Sequence, residues 1–182
     1  MSEETSKART RSVTWRDYRE GLAGAARLSG LEYLRAMMRG ELPGPPIAAL
    51  LGFELLEVHE GRVLFGVQPG EHHYNPIGMV HGGLAATLLD SAMGCAVHST
   101  LPVGTRYTTL DLHTTYVRPI TEDTQKLVCE GEIIHVGGRM ATAHGRLKDE
   151  TGQLYAHGYT TCMIFRPEGR AGAPNEKPSS GA

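Results

Sequence analysis

The sequence predicts an α+β fold in which one long apolar helix lies against an antiparallel β-sheet, with short helices ahead of both. Three observations carry the prediction. From Gly83 the chain reads Leu84, Ala85, Ala86, Leu88, Leu89, Ala92, Met93, Cys95, Ala96 and Val97, apolar nearly all round, as in a helix enclosed by protein. Four long strand patterns follow, Thr105 to Arg118, Gln125 to Val136, Arg139 to Lys148 and Leu154 to Phe165, separated only by turn segments, which makes the sheet antiparallel. The last two strands carry small residues at alternate positions, Ala141, Ala143 and Gly145, then Ala156, Gly158, Thr160 and Cys162. A helix can approach such a face closely, while Met140, Thr142, His144, Arg146 and Lys148 form the wetter opposite face.

In chain order, residues 1 to about 13 are polar and expected to be mobile. Trp15 to Leu28 and Leu31 to Arg39 have helical spacing, with Trp15, Tyr18 and Leu22, then Leu31, Leu34 and Met38, each on one side. The Pro43-Gly44-Pro45-Pro46 break ends the second helix, and a proline there opens a further turn through Ile47 to Leu51 that is expected to close one end of a pocket. Phe53 to Val58 and Val63 to Val67 read as strands joined at Glu60-Gly61. The Gly/Pro/Ser-rich tail after Phe165 reads as disordered. The resulting partition is 1–44 for the polar segment and short helices, 45–166 for the main domain and 167–182 for the tail.

A chain of 182 residues suffices for one domain with a real core, and its net charge of −2 lacks the basic footprint of a nucleic-acid binder. Cys95, Cys129 and Cys162 are an odd number without close spacing, as expected of free thiols in a reducing cytoplasm. No signal peptide or membrane span is expected: the N-terminus is polar, and the longest apolar run is short and carries a charge.

Function points to the segment His73-Tyr74-Asn75-Pro76-Ile77-Gly78-Met79-Val80-His81-Gly82-Gly83. It turns on Asn-Pro and Gly and opens the helix at Gly82-Gly83, where unpaired amides can receive a ligand oxygen. Asp90 is the one carboxylate on that helix; an ionised carboxylate in such surroundings needs a partner, a shifted titration or a catalytic role. Two helical turns, about 10.5 Å, separate Asp90 from Gly83, so it cannot reach a carbonyl held at its own helix start. Two such helices running antiparallel across a two-fold axis would bring the carboxylate of one subunit to the Gly82-Gly83 amides of the other, which predicts a dimer.

Asn75, Gly78, the His81-Gly82-Gly83 triplet and Asp90 stand as in hotdog-fold acyl-CoA thioesterases of the phenylacetic acid degradation protein PaaI type, and residues 45 to 166 resemble that family. The resemblance implies a hotdog fold, a long central helix wrapped by an antiparallel sheet, with extra N-terminal helices. It implies hydrolysis of acyl-CoA thioesters by a homodimer or dimer of dimers, with no metal and no cofactor beyond the coenzyme A of the substrate. Gly82 or Gly83 would supply the oxyanion donor, Asn75 would orient the water or carbonyl, His81 would steady the loop, and Asp90 would be general base or nucleophile. Thr109 aligns with a hydroxyl that helps hold the water. The Gly137-Gly138-Arg139 hairpin would contact the pantetheine arm.

Each feature also has a plainer reading. His-Gly-Gly can be an ordinary structural helix start, and Asp90 a carboxylate satisfied by Thr87 or Ser91. Gly137-Gly138 can be a hairpin turn supplying positive φ, with Arg139 a solvated strand start. His72, His73 and His81 invite a metal, but no carboxylate or cysteine stands at ligand spacing. Cys95 has no cation nearby to activate it and reads as core. The rival functions are a noncatalytic acyl-CoA sensor and an enoyl-CoA hydratase.

Overall fold

A computed structural model describes residues 8–167. The expected disordered tail lies, beyond Pro167, outside the described residues, as do the first seven. Residues 8–16 run without regular structure along the domain, and the Arg11 guanidinium donates to the Leu50 carbonyl at 3.1 Å.

Helix α1 spans Tyr18–Ala25, shorter than its apolar spacing suggests, because the Asp17 carboxylate accepts from the Arg19 amide and fixes the start. Its apolar residues Tyr18 and Leu22 are 51 and 61% exposed, and Trp15, ahead of the helix, is 58% exposed. Helix α2 (Gly30–Met38) begins with a capping box, in which Ser29 Oγ accepts from the Glu32 amide and the Glu32 carboxylate accepts from the Ser29 amide. Gly30 presses on the end of the central helix, where a Cβ would stand 1.7 Å from the His98 carbonyl oxygen. Helix α3 (Pro46–Leu51) starts on its proline and ends at Gly52 with φ 72°.

Six strands form one antiparallel sheet in the order β1-β2-β4-β5-β6-β3: β1 Phe53–His59, β2 Arg62–Val67, β3 Arg106–Tyr116, β4 Leu127–Val136, β5 Met140–Asp149 and β6 Leu154–Phe165. The central helix α4 (Gly82–Ser99) lies in its concave face, as the hotdog arrangement requires. The small-residue face predicted for β5 and β6 is the covered one, with Ala141, Ala143, Ala156 and Cys162 fully buried. Contact is closest at Gly131 of β4, where a Cβ would fall 2.3 Å from the backbone of Ala92.

Two local features depart from simple alternation. In β3 the register with β6 slips between Thr109 and Asp111, leaving Leu110 as an extra residue, 50% exposed. The bulge changes the phase of the strand, so Tyr107 and Thr109 share the inner face with Leu112 and Tyr116. The Gly137-Gly138 turn, expected to use positive φ, does without it: the Gly137 amide donates to the Met140 carbonyl at 2.8 Å. Its carbonyls instead accept from Arg166, at 3.4 Å for Gly137 and 3.0 Å for Gly138. No helix among the described residues is long and apolar enough to cross a membrane.

Candidate active site

The loop before α4 is tied by its own polar groups. Asn75 donates its amide to the Met79 carbonyl at 2.8 Å, and its side-chain oxygen accepts from the Ile77 and Met79 amides at 3.1 and 3.2 Å. Gly78 takes the φ of 83° that this tight loop demands. With the Asn75 oxygen so occupied, the side-chain NH₂ is the group left to meet a ligand. His73 is buried beneath the loop, its Nδ1 accepting from the Gly70 amide at 3.2 Å. Nε2 must then carry the proton, and it donates to the Leu51 carbonyl at 2.7 Å. Both nitrogens are thus engaged with backbone rather than turned to a metal.

His81 caps α4. Its Nδ1 accepts from the Gly83 amide at 2.8 Å, and its carbonyl accepts from the Leu84 amide at 3.0 Å. The Gly83 amide is therefore taken, and that of Gly82, the first helical residue, is the one without a partner among the described residues. Tyr116, which alternation counted from Thr109 would put on the outer face, was missed as a site residue. Its hydroxyl donates to the Gly82 carbonyl at 3.1 Å, and its ring lies where a Cβ on Gly82 would be 3.1 Å away.

Asp90 is half-buried in the middle of α4 and accepts from the Thr109 hydroxyl at 2.9 Å. Neither neighbour suggested by the sequence is its partner: Thr87 donates back to the Gly83 carbonyl at 2.8 Å, and Ser91 lines the same cavity without bonding to the carboxylate. Burial, and then the Asp90 charge, push the Cys95 thiol up to about 12, so it stays protonated.

These groups fall into two separate cavities of one chain. Asn75, Gly82 and Tyr116 line one of about 380 Å³; Asp90 and Thr109 stand at another of about 470 Å³, walled by α2, α3 and the Phe53–Phe65 pair. One chain thus brings Thr109 to Asp90 and Tyr116 to Gly82, and leaves the carboxylate about 12 Å of helix rise from the Gly82 amide. Gly137, Gly138 and Arg139 line neither cavity.

A family model, the thioesterase superfamily, matches residues 77–156, which include the α4 start and Asp90. Human acyl-coenzyme A thioesterase 13 is 32% identical over 110 residues, covering 59% of this chain and 76% of that protein. Among solved structures, a phenylacetic acid degradation-related protein from Ralstonia eutropha is similar at 29% identity and a TM-score of 0.65, over 72% of this chain and 98% of its own. The E. coli PaaI protein shares the fold at 18% identity and a TM-score of 0.65, over 76% and 96%. With this fold and this helix start, the chain belongs to the thioesterase superfamily and is a thioester hydrolase.

Proposed function

We propose that the protein hydrolyses acyl-CoA thioesters in the cytoplasm at sites shared between two subunits, each site joining the Asp90 cavity of one protomer to the Asn75–Gly82 cavity of its partner. The observation that carries this reading is the division of the polar groups between two cavities, each of which lacks what the other holds. An antiparallel pairing of α4 helices across a two-fold axis closes both gaps at once.

In such a site the Gly82 amide donates to the thioester carbonyl, and the positive end of α4 adds to its pull. The carboxylate of Asp90, steadied by Thr109, takes a proton from water as it attacks, or attacks the carbonyl itself. The Asn75 NH₂ orients the water or carbonyl, while His81 holds the Gly83 amide out of the way. The tetrahedral oxyanion then collapses and the coenzyme A thiolate leaves, giving the free acid directly when water attacks, or an acyl-aspartyl anhydride that water then hydrolyses to the acid and the restored Asp90 carboxylate when Asp90 attacks. The Gly137-Gly138 turn, fixed by Arg166, is the proposed backbone contact for the pantetheine arm, with Arg139 beside it. A sensor would not need the Asp90–Thr109 pair in the lining of a largely apolar cavity, which favours hydrolysis.

Complementation tests the shared site. Asp90→Asn is expected to lose about a thousandfold in kcat. Gly82→Pro removes the donor amide at the first helical position, where proline suits the backbone but presses on the Tyr116 ring, and is expected to lose about a hundredfold or more. Mixed under conditions of proven subunit exchange, the two inactive variants should regain part of the activity as thiol release from acyl-CoA, because one site of each heterodimer is intact. Exchange without recovery would refute the shared site.

A further inference from the structure

The cavity beside Asp90 is walled by the part of the chain that lies outside the matched segment 77–156: Met37 from α2, Ile47 and Ala48 from α3, and the rings of Phe53 and Phe65. We infer that α2 and α3 form the wall of the acyl chamber and make the enzyme selective for straight aliphatic acyl groups of medium to long chain over phenylacetyl, an inference that rests on the thioesterase reading of Asp90.

Size, shape and lining all favour a chain. The chamber measures about 470 Å³. An apolar cavity of about 150 Å³ is enough to hold benzene, so this cleft, open on one side in the single chain, has room for a guest longer than one ring. Asp90 and Gly94 are four residues apart on one face of α4, and Ser91 and Cys95 continue the same stripe, so the chamber extends along the helix away from the carboxylate. Thioether and aliphatic side chains on the α2–α3 wall adapt to a flexible guest. Glu54 is the charged group apart from Asp90, and it is turned to Lys126 at 2.9 Å.

Tyr107 ends the chamber. Its hydroxyl lies 3.1 Å from where a Cβ on Gly94 would stand, and its phenol is held neutral by burial. The same ring borders a second cavity of about 530 Å³, flanked by Leu22 and by the Tyr33 and His98 rings. The centroids of Tyr33, His98 and Tyr107 follow one another at 5.4 Å. Tyr107 is therefore a partition between two cavities and sets the length of chain that the first admits.

The test measures kcat/KM by thiol release for the full chain on hexanoyl-, decanoyl-, tetradecanoyl- and phenylacetyl-CoA. Wild type should favour decanoyl over phenylacetyl by about tenfold or more, given roughly fourfold for each methylene buried. Ile47→Trp fills the chamber from a position 45% exposed, where the fold tolerates bulk, and should lower the decanoyl-to-hexanoyl ratio about tenfold. Tyr107→Ala joins the two cavities and should raise the tetradecanoyl-to-decanoyl ratio by a similar factor. A wild type that prefers phenylacetyl, or folded variants whose ratios match wild type, would overturn the inference while leaving hydrolysis intact. If wild type cleaves none of the four esters, the reading of Asp90 falls and takes the chamber with it.

Discussion

Thr109 donates to Asp90 across the gap between strand and helix, so the carboxylate is held by a hydroxyl that its own helix does not supply. A hydrogen bond to a charged group is worth about 1.5–3 kcal/mol, and here it fixes the orientation of the proposed base. Thr109→Val keeps the shape and removes the donor; kcat should drop about tenfold to a hundredfold with KM little changed, and Thr109→Ser should restore most of it. A merely structural threonine would shift the melting temperature and leave the kcat of the folded enzyme alone. Thr109 was legible in the sequence only through resemblance, and as a water ligand rather than a partner of Asp90. The reason is the extra residue at Leu110, which breaks the alternation that assigns faces along a strand and also hid Tyr116. Asp90 stood out as a candidate because a carboxylate on an apolar helix conflicts with local expectation, whereas the roles proposed for Asn75 and His81 came from the family resemblance. That the Gly82 amide, and not that of Gly83, is left open depends on the His81 rotamer, which sequence does not specify.

Helix α4 and strand β4 meet backbone to backbone, and Gly131 makes that possible. Gly131→Ala forces a methyl group into the Ala92 backbone, an overpacking that should cost about 1–3 kcal/mol, read as a lower melting temperature or urea midpoint. Asp90 lies two residues from Ala92, so the displaced helix should also lose activity. The slim faces of β5 and β6 could be read directly, because runs of alternate small residues have few other uses. On β4 the same role falls to one glycine between Cys129 and Ile133, too brief a pattern to stand out. The opposite error occurs at α1, where apolar spacing from Trp15 to Leu28 suggests a longer helix than the Asp17 cap allows. Spacing reports which residues could share a face; caps decide where a helix begins.

Over the whole molecule, burial of titratable groups sets a stability window. His98 is held below its ordinary 6.5 by burial, so as pH falls through that value the unfolded chain takes up a proton that the folded one refuses, and stability declines until the folded imidazole also titrates. Cys95 is raised from 9.0 to about 12, and Cys129 and Tyr107 are also raised, each chiefly by burial. Above about pH 9 the unfolded chain loses protons that the folded one keeps, and stability declines again. Melting temperature should therefore be flat from about pH 7 to 8.5 and fall on both sides, and His98→Gln should make the acid slope shallower. A slope unchanged in His98→Gln would assign the acid limb to other groups.

His73 gives the molecule one more property. Its imidazole spans two backbones, accepting a hydrogen bond from the Gly70 amide beneath the Asn75 loop and donating one to the Leu51 carbonyl that ends α3. His73 therefore ties the end of α3 to the turn that carries Asn75 in the same chain. In the proposed shared arrangement that turn serves the other site of the pair, so a guest too broad for its berth would be felt across the dimer and not only where it sits.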